Sequence, residues 1–470
     1  MASLSFDEGA HLLRRAGFGG TPQEIDELSA LGREGAVDSL INYNQIDNSA
    51  LESLISANFN LTGDGINNGE IRRWWFTRMV FTKRQFEEKL TLFWHNHFAT
   101  SASKVQALFM FNQNMLLRQL ALDRFDNLLL KVSQDPAMLI WLDSITNVLG
   151  KANENFGREL QELFTMGIND VVTGEQNYTE QDVKEVARAF TGWNYRRQSP
   201  FPFQLTANQH DNGSKSIYPG TPWAQTGNLS GEDIITIVSA RPATARYLTW
   251  KLFNFFVYPI TSSAEDKATI DRFAKVYLNN NHSIKELVRA ILTSDEFFSE
   301  RAFFSLVKQP SEFIVGAIRM LGGTYNQGTN QRGSNTLSTA SRNMGQDLFA
   351  PPDVAGWDFN LGWVSTATML ERFNFANTFL TNRNTGNPGV FITNDQLRSI
   401  TKASSKKTVK RFLSRLGPLN AGEAIGLLRT YLETGDNGQP VTYVNDDATV
   451  DKKIRGLVHQ IMCLPEFQLN

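Results

Sequence analysis

The chain has 470 residues, 41% of them hydrophobic and 20% charged, with a formal charge of −2. That is an ordinary globular mixture, and it leaves no broad electrostatic footprint for nucleic acid. Phe stands at 33 copies against 10 Tyr, which implies a large apolar interior, since each buried ring removes ~150–250 Å² from water. The single cysteine, Cys463, excludes an internal disulfide framework and a thiolate zinc site, and in "HQIMCLPEF" it reads as a buried structural thiol. No segment approaches the ~20 apolar residues of a membrane span. The opening "MASLSFDEGAHLLRRAGFGG" lacks the basic-then-apolar order of a secretory signal, so a soluble chain without a visible export address is expected.

Most of the sequence reads as helix. The expected fold is mainly α, a large multi-helix globular unit with long irregular loops and at most minor β. One unit spans 1–470, with a helical N-terminal half (1–195) carrying the His and Glu motifs, an irregular segment (196–240) and a helical C-terminal half (241–470).

In chain order, the first chemistry-bearing stretch is "FEEKLTLFWHNHF" (86–98). As a helix it places Phe86, Leu90, Phe93 and His97 on an inward stripe and His95 on the opposite side, because i and i+2 do not face each other. The following "ATSAS" allows the helix to end near Phe98. Only there do His95 and His97 converge on one metal; otherwise His97 belongs to the interior and His95 to the rim.

The richest stretch is "NENFGRELQELFTMG" (153–167). Phe156, Leu160, Leu163 and Phe164 form one apolar arc of a helix, and Asn155, Glu159 and Glu162 fall beside it with Arg158 adjacent. Two carboxylates three residues apart on one face bind a hard cation, act as an acid/base pair, or are simply solvated. A bundle di-metal site also wants His three residues after a Glu, and position 165 is Thr. The plain alternative is surface pairing of Glu154 with Arg158 and of Arg158 with Glu162.

"TEQDVKEVARAF" (179–190) places Val183, Val186, Ala187 and Phe190 on one face behind a capping-box-like Thr179 and Asp182. "QHDNGSK" (209–215) then sets His210, Asp211 and Lys215 around a turn, either as a donor–acceptor cluster or as an ordinary Asx turn. Helical character returns at 241–257 and 283–298. Residues 196–232, 322–337 and 350–365 break the pattern, the second reading as a mobile surface loop. Residues 387–396 and 439–446 are the better strand candidates. G-x-S-x-G, Walker, G-x-G-x-x-G, H-E-x-x-H and EF-hand patterns are missing.

"HLLRRAGFGGTP" (11–22), "LTLFWHNHFATS" (90–101), "PAMLIWLD" (136–143), "NENFGRELQELFTMGI" (153–168), "YTEQDVKEVARAFTGW" (178–193), "HDNGSK" (210–215), "VKQPSEFIVGAIRML" (307–321), "FAPPDVAGWD" (349–358) and "PEF" (465–467) follow one another as in the DUF1800 family, which the whole chain resembles. The resemblance implies a large bacterial protein, often exported and often encoded beside a sulfatase-like DUF1501 protein, a candidate partner. It implies no reaction. Where the family pattern has His in "ELHT", this chain has Phe164, which removes one ligand.

Two readings follow. In the first, the chain is a metal-assisted or acid/base enzyme, a hydrolase before an oxidoreductase, because a carboxylate–imidazole site generates hydroxide near neutral pH. Glu159 and Glu162 then act as acid/base groups or ligands, Arg158 and Lys215 hold anions, Asn155 shares their face, and His95, His97, His210 and Asp211 are the ligands expected for a divalent metal ion. In the second, the chain is a non-catalytic binding or assembly protein acting with the sulfatase-like partner through aromatic loops around Trp223, Trp357 and Trp363.

Overall fold

The computed structural model describes residues 3–61, 63, 66–325, 332–383, 389–417 and 421–470. Helix dominates, as the 3.6-residue periodicity requires. The helices that matter for function run Phe6–Arg15, Asn68–Phe81, Gln85–His97, Ala107–Gln119, Asn155–Glu159, Glu180–Ala189, Pro242–Phe256 and Pro310–Leu321. Thr179 and Asp182 close the expected capping box, with Asp182 N–H on the Thr179 hydroxyl at 3.2 Å and Thr179 N–H on the Asp182 carboxylate at 2.7 Å. The same reciprocal pairing starts the helices at Ser5 and Thr21. No helix among the described residues is long and apolar enough to cross a membrane.

Among the described residues strand is confined to three short antiparallel pairs: Trp193–Tyr195 with Phe203–Leu205, Lys215–Ile217 with Gln225–Gly227, and Thr324–Tyr325 with Val390–Phe391. The segment 196–240 is therefore two hairpins followed by a helix, Gly231–Ser239. The expected loop at 322–337 gives way to a strand at 324–325 and a helix, Arg332–Asn343, with 326–331 outside the described residues. Of 387–396, residues 387 and 388 lie outside the described residues, only Val390–Phe391 is strand, and 394–400 is helix. Residues 439–446 contribute one isolated bridge, Thr434 with Pro440. Cys463 is half-buried rather than buried, and its environment pushes the thiol up to about 11.

The helix Gln85–His97 runs through the centre of the core and is buried at nearly every position. Three consecutive charged residues anchor it in different directions. Glu88, at 0% exposure, accepts from Arg78 Nε at 2.8 Å, from Arg118 Nε at 3.0 Å and Nη2 at 2.8 Å, and from Trp75 Nε1 at 2.9 Å. Those partners sit on the 68–81 and 107–119 helices. Burial alone would raise the Glu88 carboxyl, but the two guanidiniums hold it down at about 2. Lys89 pairs with Glu312 on the 310–321 helix and also donates to Gly17 O at 3.2 Å. Glu87 is held less completely: one oxygen has no hydrogen bond among the described residues and only a 4.0 Å ion pair with Arg78, and burial together with the Glu88 charge raises it to about 7.

Glu88→Gln leaves two buried guanidiniums facing a neutral amide, and urea denaturation should show a loss of ~3–5 kcal/mol. Glu87→Gln should act in the opposite sense. The folded value of Glu87 lies above the ordinary 4.5, so the native state binds the extra proton and wild-type stability falls as pH rises from about 4.5 through about 7. Glu87→Gln removes that slope, a relative gain of ~2–3 kcal/mol at pH 8 over pH 4; parallel pH profiles for the two proteins would contradict the assignment.

Candidate functional site

The 85–97 helix ends at Phe98, whose N–H still reaches Trp94 O at 2.8 Å, so both histidines lie in its last turn. His95 Nε2 accepts the Phe349 N–H at 3.2 Å, and its ring lies among Trp75, Phe349 and Trp357. His97 Nε2 donates to the Phe164 carbonyl at 3.0 Å. The two neutral rings therefore carry opposite tautomers: Nδ1–H in His95, Nε2–H in His97. Burial lowers His95 to about 3; burial, then the Lys251 charge, lowers His97 well below its ordinary value.

The expectation that His95 occupies the rim is corrected here: it is 1% exposed. The segment 349–358 covers it, and comes so close that a Cβ on Gly356 (φ +92°) would lie 2.2 Å from Asn96 Oδ1. That same oxygen accepts the Trp357 N–H at 2.7 Å.

The helix Asn155–Glu159 continues as a π-helical turn, Leu160–Thr165, a feature common at functional sites. Carbonyls at its end have no partner within the helix, and His97 meets the one from Phe164. Glu162 accepts the Tyr178 hydroxyl at 3.2 Å. Glu159 is half-buried and raised by desolvation, then by the Glu162 charge. Arg158 turns away from Glu162 to a bidentate contact with Glu180 at 2.7 Å on both nitrogens, with Glu154 at 3.4 Å. Asn155 is exposed and its N–H is taken by Asn153 Oδ1 at 3.0 Å. Glu159 and Glu162 thus stay together, while Arg158 and Asn155 serve the surface.

The 209–215 cluster spends its polar atoms on itself and on the end of the 180–189 helix. His210 Nδ1 donates to Thr191 O at 2.8 Å, Asp211 pairs with Arg188 at 2.8 Å, and Lys215 Nζ donates to Asp211 O at 2.6 Å and Gly213 O at 3.2 Å. Lys215 is a clamp on a turn rather than a free anion holder. Among the described residues no three His, Cys, Asp or Glu side chains gather into a group able to hold a metal ion. The sequence leaves open whether His95 and His97 meet Glu159 and Glu162; in the structure the His95, His97 and His210 rings are each hydrogen-bonded to a different stretch of backbone.

What the structure does bring to His97 is a cavity of about 180 Å³ between the end of the 85–97 helix, the 242–256 helix and residues 355–359. Phe93, Trp250, Phe255, Trp357 and Phe359 supply aromatic walls, and Asn96, His97, Lys251 and Asn254 the polar atoms. Among the described residues His97 Nδ1 is buried without a partner. Lys251 Nζ lies 5.4 Å from the Tyr247 ring centroid, with no hydrogen bond or ion pair among the described residues, and burial lowers the amine to about 8. Lys251 escaped the sequence reading; its one signal was a lone cation in "YLTWKLFNFF" (247–256). Trp357 and Trp363, expected as contact surface, are 7% and 4% exposed and belong to the interior, whereas Trp223 is half-buried.

The model of a family described as "Protein of unknown function (DUF1800)" matches residues 11–469. None of the curated proteins and no solved structure matches the chain.

Neither buried histidine should titrate between pH 5 and 8 in ¹H–¹⁵N correlation spectra, and the two rings should show the opposite tautomers given above. Because both folded values lie below ~6.5, the unfolded chain binds the extra protons. Stability therefore falls as pH drops below about 6.5, by up to ~1.4 kcal/mol per pH unit for each ring. A titration midpoint between 5 and 8 for either ring would refute this placement.

Proposed function

Starting from a chain that belongs to the DUF1800 family, a membership that carries no reaction, we propose an acid/base enzyme whose site is the aromatic cavity at Lys251 and His97. The reaction class favoured is hydrolysis of a small, mainly apolar ester or lactone. The Lys251 ammonium stabilises the carbonyl oxygen as charge builds on it; His97 Nδ1, a bare lone pair, takes a proton from the water whose oxygen bonds to the acyl carbon, and as the acyl C–O bond breaks the Lys251 ammonium protonates the departing alkoxide and regains its proton from the imidazolium by way of solvent. The aromatic walls exclude bulk water and strengthen both interactions. One observation carries the reading: an amine and an imidazole nitrogen, both without protein partners among the described residues, line one apolar cavity. The metal-assisted variant keeps Glu159 and Glu162 as its residues and has no ligand group among the described residues to support it.

The test is a panel of one-ring and short aliphatic esters and lactones. The ammonium is the active form, so kcat/KM should fall as pH rises through about 8. Lys251→Met should lose ~100-fold or more, and Glu159→Gln/Glu162→Gln should stay within ~3-fold of wild type. Turnover that survives Lys251→Met, or that needs an added divalent metal and dies with the Glu pair, overturns the assignment.

Assembly with a sulfatase-like protein is the second reading. In its favour, Phe359, Leu361, Val364 and Leu370 are exposed, Leu361 at 74%, and Phe359 also lines the cavity. Co-purification with that partner, abolished by Leu361→Glu at unchanged ester turnover, would support it as an added role.

A further inference from the structure

Lys89, Lys215 and Lys308 are buried and each spends its ammonium on protein oxygens, whereas Lys251 is half-buried. Lys89 meets Glu312 and the carbonyls of Gly17 and Arg14; Lys215 meets the carbonyls of Asp211 and Gly213; Lys308 meets the carbonyl of Phe467. This is how buried cations are ordinarily kept. Rings lie beside Lys89 and Lys308 as well, but Lys251 alone among these four meets a ring and no protein oxygen among the described residues. Lys251 lines a cavity whose other walls are largely aromatic, with Asn96 half-buried in the same lining and its Oδ1 already occupied by Trp357 N–H, leaving its amide nitrogen as the available end.

We infer that the cavity binds a small aromatic monocarboxylate, its ring held among Trp250, Phe255 and Trp357 and its carboxylate paired with the Lys251 ammonium. The inference rests on reading this cavity as the functional site, and it names the acyl part of the ester as an aromatic acid, the carboxylate being the product of hydrolysis. One charge is specified because one cation is present. His97 is neutral and cannot balance a second. Tyr247, one turn back on the Lys251 helix, keeps its phenol proton, since burial and then Glu162 push it up. From 355–359 only Ala355, Trp357 and Phe359 reach the cavity, so Asp358 does not oppose the anion there. One ring is specified because about 180 Å³ lies below the range of ~300–1,000 Å³ that holds drug-sized ligands.

Benzoate is the probe, with benzamide as its neutral counterpart and phenylphosphonate as the dianion, titrated into the full chain by calorimetry and Trp fluorescence. Benzoate should bind ~10-fold or more tighter than either analogue, with Kd rising about tenfold per pH unit above about 8 as the free ammonium is lost. Lys251→Gln and Lys251→Met should weaken benzoate at least ~10-fold at unchanged Tm and leave benzamide unaffected, and Lys251→Arg should retain most of the affinity. Equal binding of benzoate and benzamide, benzoate binding indifferent to Lys251, or no benzoate binding by folded wild-type protein would overturn the inference. Ester turnover lost in Lys251→Met without benzoate binding would sink this inference alone; benzoate binding without any ester turnover would sink the hydrolytic reading alone.

Discussion

Glu88 carries a full charge with no access to water, and the centre of the molecule is arranged so that this charge is met. Arg78 and Arg118 approach it from two flanking helices and Trp75 adds a third donor. A carboxylate buried this deeply survives only with all its partners in place, so those helices cannot slide against the 85–97 helix. Lys89, one residue on, fixes the same helix to the 310–321 helix through Glu312. The two anchors together set the rotation and height of the helix, and the positions of His95 and His97 follow two turns later.

That fixed helix end explains why the two histidines part company. Rotated inward, His97 meets the open end of the π-helical turn and caps the Phe164 carbonyl. His95, facing the other way, is sealed by Phe349 and Trp357 and accepts a backbone N–H. Neither ring is left to swing toward a shared point. Asn96 between them holds the 355–359 segment against the helix, and that segment forms one wall of the cavity that Lys251 lines. The cavity is thus a consequence of how the central helix stops. Of its polar lining residues, Asn96, His97 and Asn254 have side chains tied to backbone, and Lys251 does not.

The parts readable from residue order were those governed by local rules. The capping box at Thr179 and the apolar face of the 180–189 helix depend on neighbours within one or two turns, and both appear as read. The inward stripe of Phe86, Leu90, Phe93 and His97 is buried for the same reason. Readings that needed a distant partner went differently. Arg158 was a natural mate for Glu162 on an α-helical wheel, but the π-helical turn changes the spacing and Glu180 offers a planar bidentate partner from the next helix. Lys215 looked like a free cation beside Asp211, yet turn carbonyls absorb it.

By itself the sequence determined the helical class, the start of the 180–189 helix, the size of the aromatic interior and the inward placement of His97, because periodicity, capping and ring content act over short stretches of chain. The tertiary structure alone decided that His95 is sealed, that the His and Glu motifs serve separate neighbourhoods, and that Lys251, unlike Lys89, Lys215 and Lys308, meets no protein oxygen among the described residues. Burial and unmet polar atoms are properties of a whole packed volume. A lysine in an apolar helix reads the same in sequence whether carbonyls surround it or aromatic rings do, and only the folded chain brings Phe93, Trp357 and Phe359 to the Lys251 side of the 242–256 helix.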